Sequence, residues 1–138
     1  MRILFLGDVV GNAGCSKITE NLSKEIEKNN IDFVIVNAEN ADETGVGLTQ
    51  TICENFFKCG VNVITTGNHV WDQKQIMQFI ENENRLLRPK NLFEPAPGTG
   101  FEVFYLKGDF KIGVLNLMGN VFMKKCNDVF ETAQKFLG

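Results

Sequence analysis

The chain has a single histidine, His69, in 138 residues, and its four cysteines, Cys15, Cys53, Cys59 and Cys126, form no Cys-x-x-Cys pair. A disulfide framework is set aside in favour of reduced, mostly buried thiols, none with a catalytic role. A surplus of basic residues is also missing. The net charge of −3 and the pI near 5.2 argue against an extended nucleic-acid surface, because phosphate contacts need clustered Lys and Arg. A small phosphorylated substrate held by a metal stays compatible with that charge. No apolar run approaches the length that spans a bilayer, so no membrane partner is expected. The opening run Arg2–Leu6 is too short for a signal-peptide core and lacks a cleavage-like segment, which places the protein in the cytoplasm. Repeats and low-complexity stretches are absent. The length suits one domain with a core of its own.

What is present alternates strand-like and helix-like segments. Arg2–Leu6, Phe33–Val36 and Val61–Ile64 are apolar runs of strand length. Between the first two, Cys15, Ile18, Leu22 and Ile26 recur at spacings of three and four, predicting an amphipathic helix that follows the loop Val9–Gly14 and stops at Asn29-Asn30. Thr49 is placed to cap a second helix with Ile52, Cys53, Phe56 and Phe57 on its buried stripe and Gly60 at its end. A third helix is expected from Asp72, with Gln75 as a capping-box partner and Ile76, Phe79 and Ile80 buried. This rhythm predicts a parallel sheet with flanking helices. From Glu83 to Gly100 periodicity disappears, and all three prolines, Pro89, Pro95 and Pro97, fall there, predicting a long ordered loop. Phe101–Leu106 and Lys111–Leu117 read as a hairpin continuing the sheet, and Asp128–Leu137 as a last helix with Val129, Ala133, Phe136 and Leu137 on one face.

Each of the three apolar runs ends in polar residues: Gly7-Asp8, Asn37-Ala38-Glu39-Asn40, and Thr65-Thr66-Gly67-Asn68-His69. In a parallel sheet the carboxyl ends of neighbouring strands converge on one crevice, where open α/β sheets hold their ligands. Asp8, Glu39, Asn40, Asn68 and His69 are thereby candidates for one pocket, with oxygen donors suited to hard or borderline cations and an imidazole suited to iron, zinc or manganese. Every one of them also has a plain reading. Asp8 can be a turn former or helix cap, Glu39 and Asn40 can satisfy their own loop, and His69 can be an ordinary surface or core residue. Trp71 and Asp72 either orient the imidazole or serve as packing and a helix cap.

The segments Arg2-Ile3-Leu4-Phe5-Leu6-Gly7-Asp8-Val9-Val10-Gly11, Asn37-Ala38-Glu39-Asn40-Ala41, Thr66-Gly67-Asn68-His69-Val70-Trp71-Asp72, Leu87-Arg88-Pro89 and Leu115-Asn116-Leu117-Met118-Gly119 resemble the YmdB-type bacterial metallophosphoesterases of the calcineurin-like superfamily. The resemblance implies a layered α/β sandwich with a dinuclear iron or manganese site that hydrolyses phosphodiesters, 2′,3′- and 3′,5′-cyclic nucleotides among them. It implies that Asp8, Glu39 and Asn40 serve a first metal, that Glu39 bridges to a second held by Asn68, and that His69 donates a proton to the leaving oxygen.

Members of that family are roughly twice as long, within the usual range for a single α/β domain, and their second half supplies three further metal-binding histidines. This sequence has only His69. The expectation is therefore a single metallophosphoesterase-like domain, 1–138, corresponding to the N-terminal portion of the sandwich. Its metal set is incomplete, and its activity on its own is weak or absent. An uncovered apolar surface would favour a homo-oligomer or a complementing C-terminal half. The competing readings are a non-catalytic nucleotide- or partner-binding module derived from the family, and a flavodoxin-like scaffold in which the polar loops only cap and turn.

Overall fold

A strand that is apolar on both sides has to be covered on both sides, and the run beginning at Phe33 is of that kind. In the computed structural model, which describes residues 1–137, it forms β2 (Phe33–Asn37) between β1 (Ile3–Leu6) and β3 (Val63–Thr65), with β4 (Leu86–Leu87) beyond. The four strands pair in parallel in the order β1-β2-β3-β4. Helices α1 (Gly11–Asn29), α2 (Gln50–Lys58) and α3 (Ile76–Ile80) connect them. A hairpin of β5 (Phe101–Tyr105) and β6 (Lys111–Leu115) and a last helix, α4 (Val129–Leu137), follow. Among the described residues no helix is long and apolar enough to cross a membrane.

Alternate residues of the sheet serve two cores. Val34, Val36, Ile64 and Leu86 pack with Ile18 and Leu22 of α1, Cys53 and Phe56 of α2, and Ile76 and Ile80 of α3. Phe33, Val63 and Leu87 point the other way and pack with Ile112 and Val114 of β6. The predicted cap of α2 is present: the Thr49 hydroxyl accepts from Ile52 N at 3.4 Å. At the far end of α1, Asn30 takes the left-handed conformation that stops the helix, with its N–H bonded to Glu27 O.

Several expectations need correction. The hairpin does not continue the sheet but forms a separate two-stranded sheet across its face. β4 is only two residues long, and Thr99 occupies its far side, bridging Leu87 and accepting from Arg88 N at 3.0 Å. Growth at that edge is therefore blocked, and the alternation in β6, with Ile112 and Val114 buried while Lys111 and Gly113 are exposed, suits a strand covered on one face. β4 itself lies inside the span read as irregular, because two leucines between arginines make no detectable pattern. α1 begins at Gly11, earlier than its apolar periodicity and inside the span read as a loop, with Val10 extended before it and no side-chain cap. α3 is a short helix without a capping box; Gln75 makes no cap bond, and Asp72 N–H is bonded to His69 O in a turn. α4 is capped by Asp128, whose Oδ1 accepts from Phe130 N and Glu131 N at 2.9 Å each. Its apolar face is only partly covered. Phe136 leans on Phe101 with ring centroids 5.3 Å apart, and Leu137 stays exposed.

The proline-rich span is ordered by one buried cation. The Arg88 guanidinium donates to Glu94 Oε1 at 2.7 Å, to Pro97 O at 3.1 Å, to Ala96 O at 3.2 Å and to Pro89 O at 3.1 Å. Arg88 is 2% exposed, so these bonds replace the water it gives up on folding. The bonds from Arg88 and from Ala96 N hold the Glu94 carboxyl below its usual range.

This packing has two measurable consequences. Phe33 is 2% exposed and Phe5 59%. Phe33→Ala is therefore expected to cost about 3–5 kcal/mol in urea unfolding and Phe5→Ala about 1 kcal/mol or less; similar losses would contradict the two-faced core. Because the folded-state acidity of Glu94 is increased, its contribution is present above the ordinary carboxylate range and is lost as pH falls through the lower, folded value. Glu94→Gln should flatten that acid limb in thermal melts taken across pH 2 to 6, a span set by the carboxylate range of about 4.

Candidate active site

Parallel register brings the ends of β1, β2 and β3 side by side, with Leu6 opposite Val36 and Asn37 opposite Thr65. The loops beyond them are sewn together by backbone bonds. Val9 N donates to Asn37 O at 3.1 Å, Gly11 N to Asn40 O at 2.9 Å, and Ala38 N to Thr65 O at 3.0 Å. Asp8 adopts a left-handed backbone, φ 48°, which is uncommon outside glycine and persists where the surroundings over-determine it.

Side chains complete the junction. Asn40 Nδ2 donates to Asp8 Oδ1 at 2.8 Å, and Asn40 Oδ1 lies 2.5 Å from His69 Nδ1. An ionised carboxylate only accepts hydrogen bonds, so the amide must turn its NH2 toward Asp8 and its carbonyl toward the ring. The ring must then carry its proton on Nδ1, which leaves Nε2 as the nitrogen free to exchange a proton. Trp71 packs against the helix-side core and Asp72 is exposed, so the imidazole is oriented by Asn40 and by neither of them.

Glu39 holds the middle of the site. Its carboxylate rests directly on Gly67, where an added Cβ would overlap both carboxylate oxygens and the carbon between them. A side chain at Gly67 would push the Glu39 carboxylate out of this position, while the backbone there needs no special φ. The same carboxylate accepts a long bond, 3.5 Å, from His69 N. Glu39, Gly67, Asn68 and Asn37 line a cleft of about 730 Å³. Its floor is the sheet face carrying Ile3, Phe5 and Ile35, and its far wall includes Ile112, Val114, Asn116 and Met118. Asp8, Asn40 and His69 form a second cluster joined to the first through Glu39 and His69. The five predicted residues thus fall into two linked groups. Among the described residues, no three His, Cys, Asp or Glu side chains form a metal-holding group by themselves.

Two asparagines with structural roles were not singled out from the sequence. Asn116 Nδ2 donates to Thr66 O at 2.8 Å and Leu87 O at 2.9 Å, fixing the strand end from which the Gly67-Asn68-His69 loop departs. Asn91 Nδ2 donates to Met118 O at 2.7 Å and its Oδ1 accepts from Met118 N at 2.9 Å, fixing the cleft wall. Neither has a periodic signature, since each works through bonds to backbone far away in sequence. The cysteines are free thiols, and burial pushes all four up, away from the nucleophilic thiolate.

The YmdB-like protein family matches residues 4–138. The 2′,3′-cyclic-nucleotide 2′-phosphodiesterase of Bacillus subtilis (strain 168) is 41% identical over 138 residues, covering 99% of this chain and 51% of that protein. The crystal structure of a hypothetical protein from Thermus thermophilus superposes with a TM-score of 0.91 at 32% identity, covering 99% of this chain and 52% of that one. A novel phosphatase from Mycoplasma pneumoniae superposes with a TM-score of 0.88 at 37% identity, covering 98% and 50%. The chain spans about half the length of these relatives.

A single histidine makes the tautomer directly observable. The ring ¹⁵N shifts of the neutral form of His69 are expected to show protonated Nδ1 and unprotonated Nε2, and Asn40→Leu is expected to shift the population toward the Nε2–H form usual in water. An Nε2–H ring in the unsubstituted chain would contradict the Asp8–Asn40–His69 order.

Proposed function

This chain belongs to the YmdB-like protein family, and from that premise we propose that it carries the N-terminal portion of a metal-dependent phosphodiesterase site acting on small substrates such as 2′,3′- or 3′,5′-cyclic nucleotides. The observation that carries the reading is the junction of three strand ends: Asp8, Asn40 and His69 in one hydrogen-bonded line, with Glu39 seated on Gly67 beside them. Loops that only capped and turned would not be expected to gather Asp8, Asn40 and His69 from three strand ends into one hydrogen-bonded line.

The donor chemistry fits a metal. Asp8, Glu39, Asn40 and Asn68 offer carboxylate and amide oxygens, and they would hold iron or manganese ions. Bound there, such ions supply charge stabilisation for a phosphoryl group and acidify water. The chain's own part is positional. Asn40 keeps one His69 proton on Nδ1; in the imidazolium form a second proton sits on Nε2, and it is this one that passes to the leaving oxygen of the substrate, returning the ring to its neutral Nδ1–H form. Gly67 lets the loop that carries Asn68 and His69 close onto Glu39.

The site is incomplete in this chain, which has no imidazole besides His69 and spans about half the length of its relatives. Each missing ligand weakens metal binding. The apolar floor of the cleft, where Ile3 is 47% and Phe5 59% exposed, is the surface that a complementing C-terminal half would cover.

Hydrolysis of 2′,3′-cyclic AMP with manganous or ferrous ion tests the reading. The 138-residue chain is expected to turn over little or nothing alone. Co-expression with the second half of the Bacillus subtilis relative is expected to restore hydrolysis, and His69→Ala in that complex is expected to lower kcat by about 10²- to 10⁴-fold. Nucleotide binding without turnover in the complex would assign a binding module instead. Full activity of the chain alone would refute the incompleteness, and neither binding nor turnover would refute the reading.

A further inference from the structure

We propose that Asn37, a residue outside the set assigned above, contributes its side-chain oxygen to the shell of oxygens around the bound cation. The inference rests on the metal-dependent reading and extends it. Asn37 is the last residue of β2, opposite Thr65 of β3. Strand alternation puts it on the face of Ile35, at the point where the apolar floor of the cleft gives way to its polar end. Its Oδ1 is buried, and no donor among the described residues reaches it. No other buried side-chain nitrogen or oxygen among them is left in that condition. Asn91 and Asn116, by contrast, have their buried amide groups bonded to backbone.

An unpaired buried acceptor costs about 1–3 kcal/mol. A fold retains such a group where an ordered water or a bound ion satisfies it. The neighbours identify the class of ligand. Asn37 lines the cleft together with Glu39 and Asn68, which bring a carboxylate and an amide to the same residue set. An anion at this point would meet the negative charge of Glu39. A hard divalent cation gains from every oxygen present. The buried oxygen of Asn37 is thus held ready for a cation, and its stability cost belongs to the metal-free chain alone.

The test uses the 138-residue chain with manganous ion alone as the probe, bound metal being counted from the loss of the free-ion electron paramagnetic resonance signal and metal-free stability from thermal unfolding. Asn37→Leu keeps the side-chain size and removes the oxygen. It is expected to melt at or above the temperature of the unsubstituted chain without metal, and to bind manganese about tenfold more weakly. Asn37→Asp restores an oxygen and adds charge. It is expected to bind manganese at least as tightly as the unsubstituted chain while melting lower without metal. Equal manganese affinity in the unsubstituted chain and Asn37→Leu would overturn the proposal. So would a metal-free Asn37→Leu chain melting well below the unsubstituted one, because the amide would then be structural. Absence of manganese binding in the unsubstituted chain even when it is co-expressed with the second half of the Bacillus subtilis relative would overturn the metal-dependent reading itself, and this inference with it.

Discussion

One side-chain amide ties the site together. Asn40 donates to Asp8 and faces His69 Nδ1, so loops from three different strands share a single planar group whose two ends are chemically distinct. An amide can serve a carboxylate and an N–H at once only in one orientation. That orientation fixes which nitrogen of the imidazole holds its proton, and the backbone bonds from Val9 to Asn37 and from Gly11 to Asn40 keep the three loops close enough for it to do so. A leucine in this place would leave the polar termini of Asp8 and His69 without their shared partner.

The scaffold under that amide depends on the two-sided character of the sheet. Val34 and Val36 supply the helix-side core while Phe33 and Val63 supply the hairpin-side core, so β2 cannot slip by one residue without exchanging its two faces. Register is thereby fixed, and with it the level at which the loops leave the sheet. Arg88 and Asn116 act from outside the strands. The first gathers the proline-rich span around a buried guanidinium, and the second fastens the ends of β3 and β4 through Thr66 and Leu87.

Much of this was readable from the amino-acid order. Apolar runs of strand length followed by polar clusters identified β1, β2 and β3 and the residues at their ends, because a parallel sheet places its ligands at one end by construction. Thr49 was recognisable as a cap because capping is local. What escaped reading was non-local. β4 consists of two leucines that become a strand only because β3 is there to pair with them. The hairpin could be recognised, but not that Thr99 bars it from the sheet edge. The face expected to be buried on α4 is largely open, since periodicity announces an apolar stripe without saying what covers it. Asn91 and Asn116 are single polar residues bonded to distant backbone, and no spacing rule finds those. The same holds for Asn37, which stood in a motif beside Glu39 while no donor among the described residues reaches its side-chain oxygen.

The asymmetry of the sheet's two margins gives the molecule a direction. At β4 the outer side is already occupied by Thr99, whereas β1 ends the sheet with a row of main-chain groups that no described strand pairs. In the four-stranded sheet, further strands can be accepted only past β1, alongside Ile3 and Phe5. Anything joining there would extend the architecture outward from the first strand, enlarging the cleft's floor while leaving the opposite margin untouched.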